Sequence, residues 1–234
     1  MNIGGFQKNS LLDFPKTLAC IIFTQGCNFS CPYCHNPDLV AGSKDRAGRL
    51  LDEADIFAFL EKRKGFLEGV VITGGEPTLQ ADLLPFCRKI KDLGYRLKLD
   101  SNGSRPKVLE RLFEDALVDF ISMDIKTRLM DYSLVAPGKF DASAIGDSIR
   151  LIMEKAPDYE FRTTCVRPLI SRKILNDMGQ MVRGAKSYIL QKCSRNVRVL
   201  DPEFLTRDEH FFSEEEMLEF KNIIEKYGVS AVVR

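Results

Sequence analysis

The sequence predicts an α/β fold on a largely parallel sheet, and three observations carry that expectation. Short apolar runs alternate with amphipathic stretches along the 234 residues, an order that implies parallel strands joined by right-handed helical crossovers. Several runs place apolar residues at consecutive positions, as in Cys20-Ile21-Ile22-Phe23 and Val70-Val71-Ile72, which suits strands covered on both faces. Polar and charged residues follow the runs directly, where the crevice of a parallel α/β fold collects its chemistry.

The strand-like runs fall at 18–24, 70–73, 96–99, 120–125, 159–165 and 188–191. Helical stretches lie between them at 52–64, 80–93, 106–117, 142–155 and 173–183, with apolar residues three to four apart. In the second, Leu83, Leu84, Phe86, Ile90 and Leu93 line one face. A last helix opens at Ser213, where Glu216 completes a capping box, and stops at Gly228, a residue suited to the left-handed cap. Residues 229–233 read as a closing strand, so that helix and strand fill 213–234. These units are too few for a complete eight-stranded barrel, which leaves an open barrel or a doubly wound sheet. The stretch 40–50 reads as a polar loop and 202–212 as an irregular segment whose order without a partner the sequence leaves open. Neither resembles a linker, so 1–234 reads as a single domain.

Lysine and arginine number 34 against 33 aspartates and glutamates, a balance that does not favour a nucleic-acid partner. No run approaches the length of a membrane span, and the N-terminal stretch lacks a basic head before a long apolar core. Seven cysteines without an export signal favour metal or redox chemistry over a disulfide scaffold. The expected compartment is the cytoplasm.

The strand-end residues are specific. The run at 70–73 leads into Gly74-Gly75-Glu76-Pro77, and that at 96–99 into Asp100-Ser101-Asn102-Gly103. Asp124 and Lys126 end the next, Arg162 lies inside the fifth, and Gln191 closes the sixth. The glycines would serve ordinary turns equally well, and Arg162 could pair with Glu160 at a surface. Glu76, Asp124 and Lys126 together fit that reading less well, because a charge at an inner strand end needs a partner or a ligand.

After the first run comes the loop 26–37, in which Cys27, Cys31 and Cys34 stand in the pattern C-x3-C-x2-C. Structural zinc wants four ligands, commonly two separated pairs, and no second pair is present. Covalent haem would match Cys31-Pro32-Tyr33-Cys34-His35 but leaves Cys27 without a role. A cubane iron–sulfur cluster can be held at three corners by three thiolates, and the open iron then admits a small molecule. Cys165 or Cys193 as a fourth ligand would instead give a closed electron carrier.

With Tyr33 before its last cysteine and Gly-Gly-Glu-Pro downstream, this loop resembles that of the radical S-adenosylmethionine superfamily. The stretches Leu11-Leu12-Asp13-Phe14-Pro15 and 23–40 look most like the activating proteins of anaerobic ribonucleoside-triphosphate reductases, and somewhat less like pyruvate formate-lyase activating enzymes. The resemblance implies an open partial (β/α)6 TIM-like barrel of parallel strands. It further implies an oxidoreductase that cleaves S-adenosylmethionine reductively to a 5′-deoxyadenosyl radical and installs a glycyl radical on a partner enzyme. By the same resemblance Cys27, Cys31 and Cys34 hold one 4Fe–4S cluster, and Gly74, Gly75 and Glu76 receive the amino group of S-adenosylmethionine. Ser101 and Asn102 stand where relatives carry Thr-Asn, Asp124 and Lys126 lie near the ribose and carboxylate, and Arg162 faces the carboxylate. Tyr33 and His35 lie beside the adenine, while Gln191 replaces a histidine of the pyruvate formate-lyase activases. The implied partners are a glycyl radical enzyme, foremost an anaerobic ribonucleotide reductase, and a low-potential donor such as flavodoxin or ferredoxin. A radical enzyme acting on a small substrate of the deazaguanine type is the alternative.

Overall fold

The computed structural model describes residues 1–40 and 50–234; nine of the residues expected in the polar loop, 41–49, lie outside the described residues. Eight strands form one open sheet in sequential order: β1 (Ile3–Ser10), β2 (Ala19–Thr24), β3 (Gly69–Gly74), β4 (Arg96–Ser101), β5 (Phe120–Asp124), β6 (Tyr159–Cys165), β7 (Ser187–Lys192) and β8 (Ser230–Val233). The pairs from β2 to β8 are parallel. Helices cross between them: α1 (Pro37–Val40) and α2 (Glu53–Lys62), then α3 (Leu83–Asp92), α4 (Pro106–Glu114), α5 (Ser143–Lys155), α6 (Arg172–Met181) and α7 (Glu214–Glu225).

The six expected strand–helix units and the closing strand are therefore present, and sequential order decides the alternative left open by periodicity. Right-handed crossovers that never reverse direction put every helix on one face, whereas a doubly wound sheet needs a switch point. Burial agrees: Ile22, Ile72, Leu99, Ile121 and Phe161 pack in one cluster with Leu60, Phe86, Leu112, Ile149 and Leu175 of the helices. The opposite face carries a small second cluster of Phe14, Ala19, Ile21, Val71 and Phe120.

One strand differs from expectation. β1 pairs antiparallel to β2 and has no counterpart among the apolar runs. Its residues Gly4-Gly5 and Gln7-Lys8-Asn9 are mostly solvent-facing, because an edge strand held on one side need not alternate apolar and polar residues. α3 also starts later than its apolar spacing suggests, since Pro77–Leu79 form a separate 3-10 turn capped by the Glu76 side chain. α7 has the expected capping box between Ser213 and Glu216.

Candidate functional site

A cavity of about 350 Å³ opens at the carboxyl ends of β2 to β7. Each residue singled out in the sequence lines it: the three cysteines of 26–37 with Tyr33 and His35, the Gly74-Gly75-Glu76 turn, Ser101 and Asn102, Asp124 and Lys126, Arg162, and Gln191. Asp100, Thr73 and Thr164 line it as well. Asp100 is missed by a reading that takes only Ser-Asn-Gly from its turn, although it stands one residue before the end of β4 and lines the same cavity as Asp124 of β5.

The cysteine loop leaves β2 through Gly26, whose φ of +97° requires glycine. It is braced on three sides. Gly26 accepts from Glu76 N at 2.8 Å, Ser30 N donates to Val135 O at 2.8 Å, and Leu200 N and Asp201 N donate to Cys34 O and Pro32 O at 3.2 and 3.0 Å. Phe29 packs edge-on against Tyr132 and Phe140. Residues 202–212 include two 3-10 turns, Pro202–Thr206 and Asp208–His210; Arg167 donates to the carbonyls of Glu209 and Phe211, and Phe204 lies against the Tyr33 ring.

All three thiols are free. Burial pushes Cys27 up to about 12 and raises Cys31 and Cys34 as well, so a bare thiolate is disfavoured there without a metal to stabilise it. Among the described residues no three His, Cys, Asp or Glu side chains converge on a single ion. Cys165 and Cys193 line a different cavity of about 200 Å³, so the structure does not bring them to the triad. Tyr33 lines the main cavity, and its buried hydroxyl, close to the Cys31 thiol, finds no hydrogen-bond partner of good geometry among the described residues. An orphaned polar atom of this kind in a lined cavity fits a site shaped for a bound group.

Glu76 is wholly buried. Its Oε1 accepts from Thr78 N at 3.0 Å, from the Thr78 hydroxyl and from the Ser101 hydroxyl at 2.9 Å, while Oε2 accepts from Asn102 N at 2.7 Å. Burial raises its carboxyl above the usual range, and these donors pull the other way. The side chain therefore ties the turn after β3 to the turn after β4. Asn102 Nδ2 in turn donates to Asn28 Oδ1 at 2.9 Å, which joins both turns to the cysteine loop. In Glu76→Gln an amide N–H must face one of these N–H or O–H donors. The expected loss of stability is about 2 kcal/mol, read by urea unfolding of the metal-free protein; unchanged stability would mean the carboxylate does not brace the turns.

The inward positions of β4 to β6 carry a chain of charges. Arg162 Nε donates to Asp124 Oδ1 at 3.0 Å and its terminal nitrogens face Asp100 at 3.3 Å; Lys126 faces Asp124 at 3.2 Å. Burial would raise the Asp124 carboxyl, but Arg162 and Lys126 override it and hold it down at about 2. Asp100 is likewise lowered against burial by Arg162 and Lys98. The pKa of the His35 ring is lowered by the part of it that is covered and then by Lys126, although the residue as a whole is exposed.

An open α/β barrel with three thiols and a buried charge set at its carboxyl end is the frame of a cofactor-dependent enzyme. The family model "Radical SAM superfamily" matches residues 21–167. A protein of Methanocaldococcus jannaschii named as a glycyl-radical enzyme activating enzyme is 30% identical over 99% of this chain and 95% of its own length. A pyruvate formate-lyase-activating enzyme of Streptococcus mutans is 34% identical, over 50% of this chain and 48% of its own, so the match spans about half of that enzyme. The crystal structure of a domain of pyruvate-formate lyase-activating enzyme from Bacteroides vulgatus superposes with a TM-score of 0.56 at 17% identity, covering 71% of this chain and 98% of that one. The chain belongs to the Radical SAM superfamily and, within it, to the glycyl-radical enzyme activating enzymes. The fold is accordingly the open partial barrel, and the family's cofactors are an iron–sulfur cluster and S-adenosylmethionine.

Proposed function

We propose that the chain activates an anaerobic ribonucleotide reductase in the cytoplasm, with Cys27, Cys31 and Cys34 holding one 4Fe–4S cluster whose fourth iron takes S-adenosylmethionine. The observation that carries this reading is the convergence of three thiols, Cys31 buried and Cys27 and Cys34 half-buried, and a strand-end charge set on one cavity. When bound, the cluster and S-adenosylmethionine supply a 5′-deoxyadenosyl radical that takes a hydrogen atom from a partner's glycine. The lining charges suit such a ligand. Asp13, Glu76, Asp100 and Asp124 line the cavity with Lys126 and Arg162, an excess of acidic groups that suits a ligand whose sulfonium and ammonium outnumber its carboxylate.

Individual residues divide the task. Oε2 of Glu76 accepts a single bond from its own chain, so it and the carbonyls of the Gly74-Gly75 turn serve as acceptors for the ligand's ammonium. Arg162 and Lys126 suit its carboxylate, and the ribose lies near Asp124. Tyr33 and His35 flank the adenine, His35 as a neutral ring. Ser101 and Asn102 hold the shape of the turn, and Gln191 borders the mouth. The aromatic packing of Phe29, Tyr132 and Phe140 behind the loop keeps water from the thiols.

The choice of partner rests on the likeness of Leu11–Pro15 and 23–40 to reductase activators; the similarity to the Streptococcus enzyme favours pyruvate formate-lyase as the second reading. Anaerobically reconstituted protein, reduced by flavodoxin or ferredoxin, should release 5′-deoxyadenosine from S-adenosylmethionine. Mixed with an anaerobic ribonucleotide reductase, it should raise a doublet glycyl-radical signal in electron paramagnetic resonance. A doublet with pyruvate formate-lyase alone transfers the assignment to the second partner. Cleavage with no doublet on either enzyme points to a small substrate instead.

A further inference from the structure

The reading above leaves Lys98, a lysine of the barrel interior, without a task. Lys98 stands in the same rung of the sheet as Ile21, Val71 and Phe120, and its side chain is 1% exposed. Its stem suits that apolar rung, while its ammonium reaches one rung up and donates to Asp100 Oδ1. Methionine or leucine would fill the rung without burying a charge, so the reason for the ammonium lies in Asp100.

Asp100 has a second claimant. Its Oδ2 faces the terminal nitrogens of Arg162 at 3.3 and 3.4 Å, long contacts beside the 3.0 Å bond from Arg162 Nε to Asp124. Arg162 therefore stands between two carboxylates, and its pull toward each depends on what else holds them. Lys126 attends Asp124, and Lys98 attends Asp100.

Resting on the S-adenosylmethionine reading, we propose that Lys98 is a positioning residue for the ligand's carboxylate. By neutralising Asp100, it keeps the guanidinium of Arg162 from closing onto the barrel wall and removes a bare negative charge from the path of an incoming carboxylate. Without it, Asp100 would capture Arg162, and the carboxylate end of the ligand would meet an anion. The adenine and the amino group would be unaffected, since Tyr33, His35 and the Gly74-Gly75 turn are not among the bonding partners of Asp100 or Arg162.

The test is calorimetric titration of reconstituted wild-type, Lys98→Met and Lys98→Arg proteins with S-adenosylmethionine and with its decarboxylated analogue, which lacks only the carboxylate. Lys98→Met should weaken S-adenosylmethionine by about tenfold or more, while the decarboxylated analogue binds as before or more tightly. Lys98→Arg, which keeps the charge, should stay within about threefold of wild type for both. An unchanged affinity in Lys98→Met overturns the proposal, and so does a proportionate loss of both ligands, which would mark a merely collapsed interior. Should Lys98→Met fail to fold by circular dichroism, Lys98→Gln carries the same comparison. Wild-type protein that binds neither ligand would overturn the S-adenosylmethionine reading itself and this inference with it; wild-type binding with an unmoved ratio overturns the inference alone.

Discussion

Serine in place of Cys31 should leave a folded protein that retains no reconstituted iron and forms no 5′-deoxyadenosine. Cys31 is 6% exposed, and burial raises its thiol; that is tolerable for a sulfur that gives up its proton only to a metal. A hydroxyl at the same place is a far poorer soft ligand, and two remaining sulfurs cannot grip a cubane at three corners. The same outcome is expected for Cys27→Ser and Cys34→Ser. Cys165→Ala and Cys193→Ala should keep the full iron content, because both line a separate cavity. Iron quantitation and the visible absorption of the reconstituted variants check this; a Cys165 or Cys193 variant that loses iron would establish a fourth protein ligand.

An alanine at Gly75 should be nearly as damaging without touching a single ligand. Its Cβ would lie 2.0 Å from the Gly26 carbonyl oxygen and 2.6 Å from the carbonyl carbon. Both are backbone atoms, one residue before Cys27, so no side chain can swing aside. Gly75 is not among the positive-φ glycines, so an alanine is conformationally allowed there and the harm is steric alone. The cysteine loop must shift, which breaks the 2.8 Å bond from Glu76 N to Gly26 O. The expected effects are a loss of about 3 kcal/mol in urea unfolding of the metal-free protein, the upper range for overpacking, and iron uptake reduced several-fold. Normal iron uptake would show that the turn after β3 and the cysteine loop are not in register as described.

Much of this architecture is written in the chain, and the exceptions have physical causes. Parallel strands declare themselves because burial on both faces demands consecutive apolar residues, as in Val70-Val71-Ile72. The antiparallel β1 does not, since an edge strand with one partner can tolerate Gly4-Gly5 and Gln7-Lys8-Asn9. The cysteine spacing and the Gly-Gly-Glu turn are short-range patterns, visible without any fold. Lys98 is different. A lone lysine between Leu97 and Leu99 reads as a residue at the surface, and only strand register shows it inside the barrel beneath Asp100. The role of Glu76 was half legible: its position at a strand end marks the site, whereas the engagement of both its oxygens by Thr78, Ser101 and Asn102 is a matter of three dimensions.

The segment at 200–212 is tied to the carbonyls of Pro32 and Cys34, and Phe204 rests on Tyr33. An outer surface is thereby coupled to the conformation of the cysteine loop beneath it. Any displacement of Pro32 or Cys34 would be passed through these two bonds and the Tyr33–Phe204 contact to the face above.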